Sequence, residues 1–196
     1  MTSPGDRPLG PREILERLVA FPTVSRDTNL PLVDWLQGYL AGHGIDSHRV
    51  MSPCGTKAHP YAQVGPDAPG GVILSGHTDV VPVDGQAWTS DPWQVVEKDG
   101  KLYGRGTCDM KGFDALAIWA LVRAAKAPLT KPLQLALSYD EEVGCTGAPP
   151  MLIDLRLLTS RRDTSGWSSR RETMVGTAVQ RLILWRSIKA STSAGS

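Results

Sequence analysis

Apolar residues recur at helical spacing in three stretches of the chain. From Pro11, a residue suited to the first helical turn, Ile14, Leu15, Leu18 and Val19 share one face. A second stretch follows Asn29-Leu-Pro31, sets Val33, Leu36, Tyr39 and Leu40 on one side, and stops at Gly42 or Gly44. The third runs from Met110 to Ala125, where Phe113, Leu116, Ala117, Ala120, Leu121 and Ala124 recur at the same period. A further helix is predicted near Thr146 to Pro150, including Met151, Leu152 and Leu155.

Strand patterns lie between these helices. Gly44 to Val50 and Tyr61 to Val64 read as short strands, and Gly71-Val-Ile-Leu-Ser75 as a buried one, an apolar run between glycines. Leu133, Leu135, Leu137 and Tyr139 alternate with Gln134, Ala136 and Ser138. Gln94–Val96 and Lys101–Tyr103 flank Lys98-Asp99-Gly100, a hairpin signal. Strands alternating with helices predict an α/β domain with a mostly parallel central sheet flanked by helices.

Composition changes this picture in one respect. The chain has 196 residues and a formal net charge of +1, which gives no electrostatic reason to expect nucleic acid or an anionic membrane as partner. No run approaches the roughly 20 apolar residues of a membrane span; Ala115–Val122 ends at Arg123. Residues 1–10 are polar, without an apolar secretory segment, and three scattered cysteines (Cys54, Cys108, Cys145) suit neither a disulfide framework nor a thiolate zinc site. The expectation is a cytoplasmic protein. The charge is divided, however: residues 1–155 carry a net −5, and residues 156–196 a net +6 with eight Ser and five Thr. Residues 1–10 are expected to be flexible, 11–155 to form the domain, and 156–196 to be an irregular, poorly ordered tail.

Three groups of chemistry-bearing residues sit where a predicted strand ends or a helix begins, the edge at which open α/β sheets bind ligands. In His77-Thr-Asp79 an imidazole and a carboxylate two residues apart in extended chain point to the same side. A metal-bound His commonly gives its second N–H to such a carboxylate; a surface His beside a surface Asp is the plainer reading. Asp109, among Gly104, Gly106 and Gly112, heads the third helix, either as a cap or as a ligand. Glu141 and Glu142 leave a strand with diverging side chains, so one can hold metal while the other takes a proton from water; a solvated loop is the alternative. Jointly, imidazole and carboxylates without thiolate favour zinc, manganese or cobalt, and shared carboxylates suggest two ions. His43, His48 and His59 are expected to be ordinary surface or partly buried residues.

Ser75-Gly-His-Thr-Asp-Val-Val-Pro82, Tyr103-Gly-Arg-Gly-Thr-Cys-Asp-Met-Lys-Gly112 and Ser138-Tyr-Asp-Glu-Glu-Val-Gly144 closely resemble metallopeptidase family M20, as do Trp88-Thr-Ser-Asp-Pro-Trp93 and Asp99-Gly-Lys-Leu-Tyr103. The likeness runs from about Arg12 to about Leu155. It implies part of a zinc-peptidase-like catalytic domain. His77 would ligate one metal and Asp79 orient its ring. Asp109 would bridge both metals next to a cis Asp109–Met110 peptide, Glu142 would ligate the second, and Glu141 would be the general base. The implied cofactor is Zn2+ or Co2+. The implied reaction is hydrolysis of a small N-acyl amino acid, closest to the branch that converts N-acetyl-ornithine and water to ornithine and acetate in arginine biosynthesis. Desuccinylation of succinyl-diaminopimelate and carboxypeptidase action are close alternatives.

The departures from the family shape a second expectation. Members are about twice as long, with a further carboxylate ligand, a lid domain carrying the homodimer interface, and a late metal-binding His; no His follows His77 here. A shift of reading frame near residue 156 would account for the Arg- and Ser-rich text. For the polypeptide as written, silence or very weak activity is then expected. An Arg-rich nucleic-acid arm is disfavoured because the Arg residues are dispersed.

Overall fold

The computed structural model describes residues 7–153, which form one compact unit up to Met151. The expectations for residues 1–6 and for the tail beyond residue 153, including the join near residue 156, lie outside the described residues.

Helix α1 spans Pro11–Val19 and buries Ile14, Leu15, Leu18 and Val19, the face its periodicity marks. Its Glu13 side chain accepts the Gly10 backbone N–H at 2.8 Å, relieving one of the donors that a helix start leaves unpaired. Helix α2 spans Leu30–Gly42 and buries Leu32, Val33, Leu36 and Leu40, with Tyr39 half-buried. Strands β1 (Ser47–Met51), β2 (Ala58–Val64) and β3 (Val72–His77) follow, then the two-stranded ribbon of β4 (Val96–Lys98) and β5 (Lys101–Tyr103). Asp99 and Gly100 both take positive φ at its turn, as a two-residue hairpin of right-handed twist requires. Helix α3 covers Lys111–Ala124 and strand β6 Leu133–Ser138. Residues 148–153 are helical, in the stretch where the last helix is expected.

The central sheet has strand order β1-β2-β6-β3, and here the sequence expectation needs correction. Only β3 and β6 pair in parallel; β1–β2 and β2–β6 are antiparallel. Parallel neighbours need a long crossover. The α3 segment provides one between β3 and β6, whereas residues 52–57 join β1 to β2 as a short reversal. The sheet is mixed, and its one parallel pair carries the site.

The three helices share one core with the face of β2 and β6 that bears Ala62, Val64, Leu135 and Leu137. Side chains such as Leu36, Ile118 and Leu121 are wholly enclosed and each contributes about 1.5–3 kcal/mol through removal from water. The face of α3 differs from the one its apolar spacing suggests. Ala115, Ala117, Ile118, Leu121 and Val122 are buried together with Lys111 and Asp114, while Phe113 and Leu116 are exposed. A helix that is apolar almost all round does not announce its inner face by period, and two buried charged residues on that face mislead further.

Candidate metal centre

Strands β3 and β6 run the same way, with His77 opposite Ser138 in register. Their C-terminal ends therefore open at one edge of the sheet, and the Thr78 N–H to Ser138 carbonyl bond (2.9 Å) carries the pairing one step further. His77 closes β3, and Glu141 and Glu142 stand three and four residues past the end of β6. The crossover returns α3 so that its N-terminus reaches the same edge, with Asp109 just ahead of it.

At this edge the imidazole Nε2 of His77 lies 3.2 Å from Asp109 Oδ1 and 3.5 Å from Glu141 Oε2. His77, Glu141 and Glu142 each place a donor atom within 4.8 Å of the others, the one group of this kind among the described residues. His77 is 3% exposed, whereas the Asp109 side chain is 66% exposed. Asp109 does not cap α3: the cap position falls on Met110, and the Asp109 carboxylate faces the imidazole instead. The peptide between Asp109 and Met110 is cis. The glycines around it permit close backbone approach. A Cβ on Gly112 would stand 2.3 Å from the Thr107 carbonyl, and one on Gly106 would stand 2.8 Å from Val80.

The second nitrogen of the ring meets the backbone of Asp79 more closely than its carboxylate. His77 Nδ1 donates to the Asp79 carbonyl at 2.9 Å, with the Asp79 carboxylate at 3.5 Å. That carboxylate is occupied elsewhere: it accepts the backbone N–H groups of Glu141 (3.1 Å) and Glu142 (3.2 Å) and the Ser25 hydroxyl (2.7 Å). Burial opposes charge on both His77 and Asp79, but their mutual hydrogen bond and charges outweigh it. His77 rises to about 9, helped by Glu141, and Asp79, bonded also to Ser25 and the Glu141 amide, falls to about 2. Glu142 is shifted upward, by burial first and then by the charge of Asp109. An imidazole nitrogen faced by several carboxylate oxygens is the donor chemistry of a divalent-cation site, one that an ion would enter in place of the Nε2 proton, and the residues fit such an ion.

Three buried groups escaped sequence reasoning. Lys111, fully enclosed, donates to the carbonyls of Leu18 (2.9 Å) and Phe21 (2.7 Å) at the end of α1, and burial lowers it to about 7. Asp114 lies against Gly76, and burial pushes its carboxyl up to about 8. His59 corrects the expectation for the remaining imidazoles: it is 2% exposed, stacked on Tyr139 with ring centroids 4.2 Å apart, because β2 is an inner strand. His48 is exposed and His43 half-buried against Tyr39, as expected. Cys54 and Cys108 are exposed free thiols, and Cys145 is half-buried.

The sequence profile described as Peptidase family M20/M25/M40 matches residues 73–173, just over half of the chain. The chain belongs to this family. Among curated relatives, the acetylornithine deacetylase of Myxococcus xanthus is 41% identical over 146 residues, spanning 72% of this chain and 37% of that protein. The acetylornithine deacetylase of Pectobacterium carotovorum is 39% identical over 145 residues, with 69% and 37% covered. This M20 chain thus spans 37% of the length of these relatives. Among solved structures, human carnosine dipeptidase 1 superposes with a TM-score of 0.57 at 28% identity, over 72% of this chain and 34% of that one. The M20 metallo-carboxypeptidase Sso-CP2 of Sulfolobus solfataricus gives 0.63 at 20% identity, over 73% and 33%, and shows the shared fold. Among the described residues no helix is long and apolar enough to cross a membrane.

Proposed function

We propose that this chain supplies the metal-holding edge of a metal-dependent amide hydrolase acting on a small N-acyl amino acid, with N-acetyl-ornithine as the preferred substrate. The observation that carries the reading is the convergence of His77 Nε2 on Asp109 and Glu141, with Glu142 in the same group. The substrate is inferred from the names of the relatives, acetylornithine deacetylase in each case. In this reading His77, Asp109 and Glu142 are the residues that would hold divalent metal, Zn2+ or Co2+. When bound, it would lower the pKa of water and polarise the amide carbonyl.

The chain's own groups supply positioning and proton transfer. Asp79 orients the imidazole and holds a proton at Nδ1, so Nε2 is the nitrogen that would give up its proton to an ion. Glu141, 9% exposed, takes the proton of the attacking water as oxygen adds to the acyl carbon. It then delivers that proton to the nitrogen as the C–N bond breaks, giving amine and carboxylic acid, whose proton passes to the amine to leave ammonium and carboxylate. The exposed free thiols of Cys54 and Cys108 suit a reducing compartment, the cytoplasm.

A second reading is favoured by the donor count. Two ions usually take at least about four ligands each, and the described residues bring four such side chains together: His77, Asp109, Glu141 and Glu142. A chain that holds an ion without turnover fits this. Both readings meet the same experiment, Co2+ or Zn2+ titration of the purified 196-residue chain followed by an assay of acetate release from N-acetyl-ornithine. Metal-dependent release abolished in Glu141→Gln supports the hydrolase; binding without release, or no binding at all, rejects it and supports the silent chain.

A further inference from the structure

Glu141 and Glu142 lie on a turn, outside regular secondary structure, so something other than a strand ladder must set where their side chains stand relative to His77. Their backbone donors identify it. Glu141 N–H bonds Asp79 Oδ1 and Glu142 N–H bonds Asp79 Oδ2, so a single buried carboxylate locates both residues. Two amides, one on each oxygen, orient this carboxylate, and a third donor from outside the turn anchors it. That donor is the Ser25 hydroxyl, 2.7 Å from Oδ2, in a side chain as buried as Asp79 itself.

Ser25 is fixed from both sides. Its N–H bonds the Val80 carbonyl at 3.2 Å, beside the parallel bridge between Val24 and Val80, so it rides on the strand end that carries His77 and Asp79. Its carbonyl accepts the Lys57 ammonium, which also pairs with Asp140, the residue before Glu141. Ser25, Asp79, the Glu141–Glu142 backbone, Asp140 and Lys57 therefore close a ring of polar contacts around the site.

We propose that Ser25 is a positioning residue that sets the Glu141–Glu142 pair against His77 by locking the Asp79 carboxylate. The proposal rests on the metal-centre reading for its purpose, though its geometric content does not need metal. Sequence spacing carries no trace of it, since Ser25 precedes Asp79 by 54 residues.

The test uses the full chain, wild type, Ser25→Ala and Ser25→Thr, with residue-resolved amide hydrogen exchange in metal-free buffer. Ser25→Ala is expected to speed exchange at Glu141 and Glu142 about tenfold, the worth of one hydrogen bond to a charged group. Amides of the α3 core, such as Ile118 and Leu121, are expected to hold their rates, and Ser25→Thr, which keeps the hydroxyl, to restore protection. Unchanged exchange at both glutamates overturns the proposal, and so does an equal rise at Ile118 and Leu121, which would make Ser25 a general stabiliser. In a parallel Co2+ titration, Ser25→Ala is expected to bind about tenfold more weakly, as loss of an outer-sphere partner does, with altered visible absorption. A wild-type chain that takes up no Co2+ rejects the metal-centre reading, while the exchange data still decide the role of Ser25.

Discussion

The imidazole Nε2 of His77 stands 3.2 Å from Oδ1 of Asp109, although 32 residues and a surface ribbon separate the two in sequence. The contact joins the end of β3 to the start of α3, and it defines where a divalent ion would sit. His77→Ala is expected to weaken Zn2+ binding at least about 100-fold, whereas His48→Ala, an exposed imidazole elsewhere, leaves it unchanged. Isothermal titration of the two variants against wild type measures this; equal affinities would remove His77 from the site.

Gly76, just before His77, leaves no room for a side chain. A Cβ there would lie 2.1 Å from Asp114 Oδ1. Gly76→Ala is therefore expected to destabilise the chain by about 1–3 kcal/mol, the usual size of overpacking. Asp114→Ala in the same chain should return part of that loss, a coupling that a double-mutant cycle in urea reads directly.

Asp114 is itself held largely neutral near pH 7, because burial raises its carboxyl to about 8. Its Oδ1 has no hydrogen-bond partner among the described residues. Asp114→Asn keeps shape and neutrality and is expected to change stability by less than about 1 kcal/mol. A much larger loss in thermal melts would show that the carboxylate form is required.

His59 predicts a pH dependence. Burial lowers it to about 4, so the folded chain keeps it neutral where the unfolded chain protonates it below about 6.5. Between those values the unfolded state binds more protons, and stability must fall as pH falls from about 6.5 toward 4, by up to about 3 kcal/mol. Urea melts at pH 7 and pH 5 should show this slope in wild type and a shallower one in His59→Phe.

Helices α1 and α2 and the β4–β5 hairpin were legible in sequence because each carries a local signal: Pro at the first turn, one clear apolar face, or Asp99-Gly100 at a two-residue turn. The face of α3 was not, since its apolar residues surround the helix and its inner face holds Lys111 and Asp114. Sheet direction was misread for a related reason. Alternation of strands and helices along a chain does not say which neighbours pair, and β6 inserts between β2 and β3.

Residue chemistry and motif order marked His77, Asp79, Asp109, Glu141 and Glu142 as candidates for one metal group, with a surface pair, a helix cap and a solvated loop as the plainer readings of the parts. Tertiary structure decided how they are held. The parallel register of β3 with β6 sets His77 beside the Glu141–Glu142 turn, and the Asp79 carboxylate turns from the imidazole to the glutamate amides and Ser25. Hydrogen bonds between residues more than fifty positions apart depend on chain crossings that no local pattern encodes, which is why the ring around the site is visible only in the folded protein.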